Sequence, residues 1–103
     1  MSEVEQFIKE GAKLLYITAP NCNVCGALKT KVEEMVEKEF PKIETAQADI
    51  SQIPELAARF NVFSAPVLMV FFDSQQFIKE GRNVSMDILA QKVAKIYGVY
   101  FSK

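Results

Sequence analysis

The stretch LLYITAPNCNVCGALKTKVEEMVEKEF, residues 14–40, carries the decisive pattern of this chain. LLYIT (14–18) is a short apolar run and reads as a buried strand. Pro20 ends it and opens a turn. From Val24 the pattern becomes helical: Val24, Leu28, Val32, Val36 and Phe40 recur every fourth residue. Lys29, Glu33, Glu34, Glu37 and Lys38 fill the other face, and Pro41 is the stop. Both cysteines, Cys22 and Cys25, fall where strand gives way to helix.

That placement has chemical consequences. Cys25 falls in the first turn of a helix expected to start near Asn23. N–H groups at a helix amino terminus lack internal partners, and the dipole presents partial positive charge. A cysteine in such a place can have its pKa lowered below the free value of about 8.5. The two-residue spacer on a helical turn brings the sulfurs within bonding distance. Cys22 is the outer thiol and the expected nucleophile, with Cys25 the resolving thiol. Three readings compete: a redox pair, half of a metal site, or two inert core thiols. A closed zinc site needs four ligands, so metal binding calls for a dimer that pools four thiolates. CxxC beside a βαβ pattern is a recognised redox signal and favours the first reading.

The remaining elements follow from spacing. Val4, Phe7 and Ile8 predict a short helix over 3–10, ending at Gly11. IETAQADI (43–50) alternates weakly and reads as a strand. Pro54 suits the first turn of a short helix, PELAARF. APVLMVFFD (65–73) is the strongest strand, with Met69, Phe71 and Phe72 assigned to the core. DSQQ is read as a hairpin turn. Ser85 caps a last helix whose core face is Leu89, Val93 and Ile96, with Gly98 near its end. QFIKEG occurs at 6–11 and again at 76–81. Val4 completes a helical stripe around the first copy. The second follows a strong strand and a turn, so it is assigned to a hairpin strand; context decides. The order α, β, α, β, α, β, β, α gives an α/β fold. A helical crossover makes the first two strands parallel, and the last two form an antiparallel hairpin. The product is a mixed four-stranded sheet flanked by helices, βαβ then ββα.

Composition narrows the function. At 103 residues, half of them apolar, one domain spanning the chain is expected. The net charge is −1 with no basic patch, which points away from nucleic acid and anionic membrane as partners. No apolar run approaches the roughly 18 residues of a membrane span. The charged start MSEVEQFIKEG lacks secretory-signal features, so the cytoplasm is the expected compartment. With no histidine, Ser–His and Cys–His nucleophile pairs and imidazole metal sites are excluded.

At this point the chain resembles the thioredoxin family over nearly all of its length. The anchors are CNVC after a buried strand and, about forty residues later, ELAARFNVFSAPVLMVF (55–71). The resemblance implies a cis-proline at Pro66, packed beside the CxxC pair. It implies that Ala65 presents its backbone to a substrate peptide, which adds as a strand-like segment. Gly81 matches either a groove glycine of the family or a plain turn glycine. Thr18, Ala19, Pro20, Asn21 and Val24 surround the pair and are candidates to touch a protein substrate. The longer thioredoxins' first strand has no counterpart, which supports four strands. The implied activity is protein-disulfide reduction by Cys22 and Cys25, reset by a thioredoxin reductase or a small thiol, with no metal or organic cofactor. A peptide-binding module with weak or no turnover is the alternative.

Departures from the family pattern are specific. The usual Gly-Pro spacer is Asn23-Val24, and Asn21 stands where the family has tryptophan. A buried aspartate that serves typical thioredoxins as a general base falls at Tyr16, and its lysine partner at Gln47. Disulfide exchange is therefore expected to differ in rate or pH dependence. Asp49, ending a strand, reads as a solvated turn residue. Val99, Tyr100 and Phe101 are expected to follow the last helix. They either fold back on the domain, and a monomer is expected, or form an exposed apolar patch for a partner or a dimer.

Overall fold

The computed structural model describes residues 1–102. Helix α1 (Ser2–Ile8) leads into strand β1 (Ala12–Thr18), followed by α2 (Cys25–Glu39) and β2 (Glu44–Asp49). Helix α3 (Glu55–Phe60), strands β3 (Val67–Phe72) and β4 (Gln75–Glu80), and helix α4 (Met86–Tyr100) complete the order. One four-stranded sheet runs β2-β1-β3-β4. β1 and β2 are parallel, while β1–β3 and β3–β4 are antiparallel. The mixed α/β sheet expected from the element order is the one observed.

The period of two along β1 and β3 divides the core between two faces. Leu14, Tyr16, Leu68, Val70 and Phe72 pack with Val32, Met35 and Val36 of α2 and Leu89 and Val93 of α4. Leu15, Ile17, Val67, Met69 and Phe71 face the other way, onto Val4 and Ile8 of α1 and Leu56 and Phe60 of α3. Because both faces are covered, β3 is buried at every residue. That explains why its sequence is continuously apolar rather than alternating.

Several boundaries differ from expectation. α1 ends at Ile8, and Gly11 beyond it has φ +86°, a conformation that a side chain disfavours. Its N–H donates to Asp73 Oδ1 at 2.7 Å, and its carbonyl accepts from Asp73 N at 3.0 Å. α2 begins at Cys25, later than Asn23. The hairpin turn is Asp73-Ser74, both at positive φ, and Gln75 and Gln76 already belong to β4. The register shifts between Val70 and Phe71: Val70 pairs with Ile78 and Phe71 with Gln76, so Phe77 is the bulged residue and is exposed. The two QFIKEG copies do take different structures, the first in α1 and the bend after it, the second in β4.

Helix α4 does not stop at Gly98 but runs through Tyr100, so Val99 and Tyr100 are helical. Gly98 has open space around it, and the apolar stripe continues past it. Tyr100 packs on Phe72 with ring centroids 5.0 Å apart, and Phe101 on Tyr97 at 4.7 Å. Lys42 Nζ lies 4.9 Å from the Phe101 ring centroid. Of the three residues considered for a dimer patch, Val99 alone is fully exposed, at 77%.

Candidate active site

β1 delivers the chain to the carboxyl end of the sheet, and Thr18 begins the turn away from it. Thr18 Oγ1 donates to the Ala48 carbonyl at 3.4 Å, so this hydroxyl faces β2 rather than the cysteines. The turn requires a left-handed residue, and Asn21 supplies it with φ 61°. Asparagine tolerates that conformation better than most side chains. This gives the asparagine at the family's tryptophan position a local reason.

Cys22 and Cys25 are joined, with S–S 2.07 Å and Cα–Cα 5.5 Å. Cys25 is the first residue of α2 and is buried, while Cys22 is only half-buried at the mouth. Cys22 is therefore the more accessible sulfur of the pair. No side chain caps α2, and no acidic residue lies in its first turn. Its amino-terminal N–H groups thus face the cysteine loop without a competing carboxylate.

The second half of the site comes from the opposite strand. Asn61 takes a left-handed C-cap at the end of α3 (φ 57°). Lys79 Nζ, reaching across from β4, donates to the carbonyls of Phe60 at 3.0 Å and Asn61 at 2.7 Å. These bonds fix the start of the loop that leads to Ala65–Pro66, whose peptide bond is cis. Ala65 then lines one hollow together with Ala19, Pro20, Asn21, Cys22, Asn23, Val24 and Arg82. A second hollow continues over Ser64, Pro66, Gly81, Asn83 and Val84. A Cβ on Gly81 would sit 4.0 Å from the Pro66 carbonyl oxygen, so glycine keeps this floor low without being sterically required. Ala65, Asn21 and Val24 thus line the hollow of Cys22, and Pro66 lines the adjoining one; Thr18 lines neither.

Two participants were not anticipated from sequence. Arg82 lines both hollows, set there by a turn in which Val84 N donates to the Gly81 carbonyl at 3.2 Å. Nothing local in GRNV marks an arginine as part of a site. The other is the contact of Tyr16. Its hydroxyl, on a residue only 2% exposed, donates to the Cys25 carbonyl at 2.8 Å. Burial pushes the phenol above its ordinary pKa, so it remains protonated. Gln47 stands opposite Tyr16 in the β1–β2 register and is exposed. Among the described residues the core holds no charged side chain. Asp49 is the last residue of β2 and ties down the turn after it, its Oδ1 accepting from Ser51 N at 2.8 Å and Ser51 Oγ at 2.7 Å.

The family described as Thioredoxin matches residues 2–95. The chain belongs to the thioredoxin family. A thioredoxin-like protein, YdfQ, of Bacillus subtilis is 35% identical over 98 residues, covering 94% of this chain and 87% of that one. A thioredoxin of Staphylococcus haemolyticus is 31% identical over 74 residues, covering 72% of this chain and 71% of its own. In fold, the chain is similar to thioredoxin O2 from Arabidopsis thaliana in the oxidised state. The TM-score is 0.78 at 19% identity, covering 93% of this chain and 88% of that one. A mutant thioredoxin from Halobacterium salinarum gives 0.77 at 21% identity, covering 100% and 87%. In this thioredoxin-family chain the close Cys22–Cys25 pair is consistent with thiol–disulfide oxidoreductase chemistry.

Proposed function

We propose that the protein reduces disulfides of protein clients through Cys22 and Cys25. The observation that carries this reading is the unequal burial of two bonded cysteines, the outer of which shares a hollow with Ala65. In the reduced protein the Cys22 thiolate attacks one sulfur of a client disulfide. A Cys22–client disulfide forms, and the first client sulfur leaves as thiolate and takes a proton from water. Cys25 then loses its proton and attacks Cys22 Sγ. The mixed disulfide breaks, the second client thiol departs, and Cys22–Cys25 closes. Two electrons have passed from the cysteine pair to the client.

The client strand lies along Ala65 and Pro66, with Asn21 and Val24 on its other side. An outside reductant, a thioredoxin reductase or two equivalents of a small thiol that leave as their own disulfide, returns two electrons. The cytoplasm is the setting in which such a donor keeps thiols reduced. Tyr16 has a different consequence. Its one hydroxyl proton is held on the Cys25 carbonyl and its pKa is raised. It therefore does not act as the base for Cys25 near neutral pH, and that proton passes to water or to the departing thiolate.

The same substitution favours a second reading, a peptide-binding module with little turnover. Reduction of insulin disulfides under a supplied thiol separates the two. Turnover that disappears in Cys22→Ser supports the oxidoreductase. A wild-type rate no faster than the supplied thiol alone supports the binding module.

A further inference from the structure

Arg82 is the one charged side chain lining the hollow that holds Cys22. It also borders the adjoining hollow over Ser64 and Pro66. The acidic residue there, Glu80, is engaged: its Oε2 accepts from Lys92 Nζ at 2.6 Å. The other cations in ion pairs are Lys13, Lys29 and Arg59, and among the described residues Arg82 has no ionic partner. The chain as a whole carries net charge −1, so this is a local positive spot on a mildly acidic molecule. The turn from Gly81 to Val84 places it at the rim rather than in the core, where it is exposed.

We propose that Arg82 selects client disulfides that carry an acidic residue within two positions of the attacked cysteine. This rests on the reading that the hollows receive a client segment. A segment extended along Ala65–Pro66 advances about 3.3 Å per residue, so a flanking side chain reaches the rim opposite Asn21–Val24. Arginine is suited to hold a carboxylate there through paired N–H donors. A lysine on the client would instead meet a like charge, which disfavours the wrong partner as much as attraction favours the right one.

The test uses reduced protein, freed of excess reductant, and three cyclic disulfide peptides identical except for Glu, Gln or Lys flanking each cysteine. Single-turnover rate constants are compared for wild type, Arg82→Gln, Arg82→Glu and Arg82→Lys. The expected Glu-to-Lys rate ratio is about five-fold higher in wild type than in Arg82→Gln, the scale of exposed charge pairs. Arg82→Glu inverts the preference, Arg82→Lys restores part of it, and added salt shrinks the wild-type ratio. An arginine that only stabilised the Cys22 thiolate would change all three peptides by one factor. A ratio that is the same in wild type and Arg82→Gln overturns the proposal and leaves the oxidoreductase reading standing. Failure of wild type to reduce any of the three, with Cys22 and Cys25 shown to be reduced, overturns that reading and this inference with it.

Discussion

Where the resemblance places the titrating carboxylate of typical thioredoxins, this chain has Tyr16, a phenol whose proton is already committed to the Cys25 carbonyl. The resolving step should therefore lack the pH dependence that a buried acid beside Cys25 imposes. Tyr16→Asp should introduce a new inflection in the single-turnover rate against pH, and Tyr16→Phe should not. Removing the hydroxyl should cost about 1 kcal/mol of stability, read from urea unfolding, because a buried hydrogen bond is lost. An inflection already present in wild type and retained in Tyr16→Phe would point to another base. Asp73 shows the same logic on the surface. Its carboxyl is held below the usual range by the Gly11 N–H, then by the Tyr100 hydroxyl. A depressed folded-state pKa contributes stability above the unfolded value, lost as pH falls through the folded one. The stability difference between wild type and Asp73→Asn should therefore shrink as the solution is acidified below about pH 4, near the unfolded carboxyl pKa. Asparagine tolerates the φ of 52° at this turn position, so the comparison isolates charge. A constant difference down to strong acid would contradict the assignment.

Among the elements, α4 is the one whose ends rest on contrasting devices. At its start Ser85 Oγ accepts from Ile88 N at 3.4 Å. Ser85→Ala should lower stability by about 1 kcal/mol in denaturant titration, with the m-value unchanged. A change near zero would mean that this long bond contributes nothing. At its end the helix passes Gly98, a position where sequence suggests a stop. A glycine ends a helix when the chain needs a left-handed residue; here Tyr97, Tyr100 and Phe101 have an aromatic cluster to join, so tertiary packing overrides the local signal. Elsewhere element type was legible because period and apolar run length agreed, as in α2 and β3. Boundaries were less legible. The bend at Gly11 is bonded to Asp73, far away in the chain, which periodicity does not encode.

In the whole molecule, the site lies where two halves of the fold meet: the β1–α2 turn carries the cysteines, and the β3–β4 half brings Pro66, Gly81 and Arg82. Sequence made Cys22, Cys25 and Pro66 legible because CxxC at a strand–helix junction and Ala-Pro before a buried strand each carry a local signature. Arg82 carries none, since its relevance comes only from the sheet order that sets β4's end against the cysteine loop. The two sulfurs differ in exposure, which is what the proposed roles rest on. Cys22 lines the hollow, and Cys25 is buried as the first residue of α2. The most direct test is a trap. Cys25→Ser, reduced and mixed with disulfide-bearing client proteins, should accumulate mixed disulfides through Cys22, visible by non-reducing electrophoresis and lost on reduction. Cys22→Ser should accumulate none. Equal trapping by both variants, or by neither, would contradict the account.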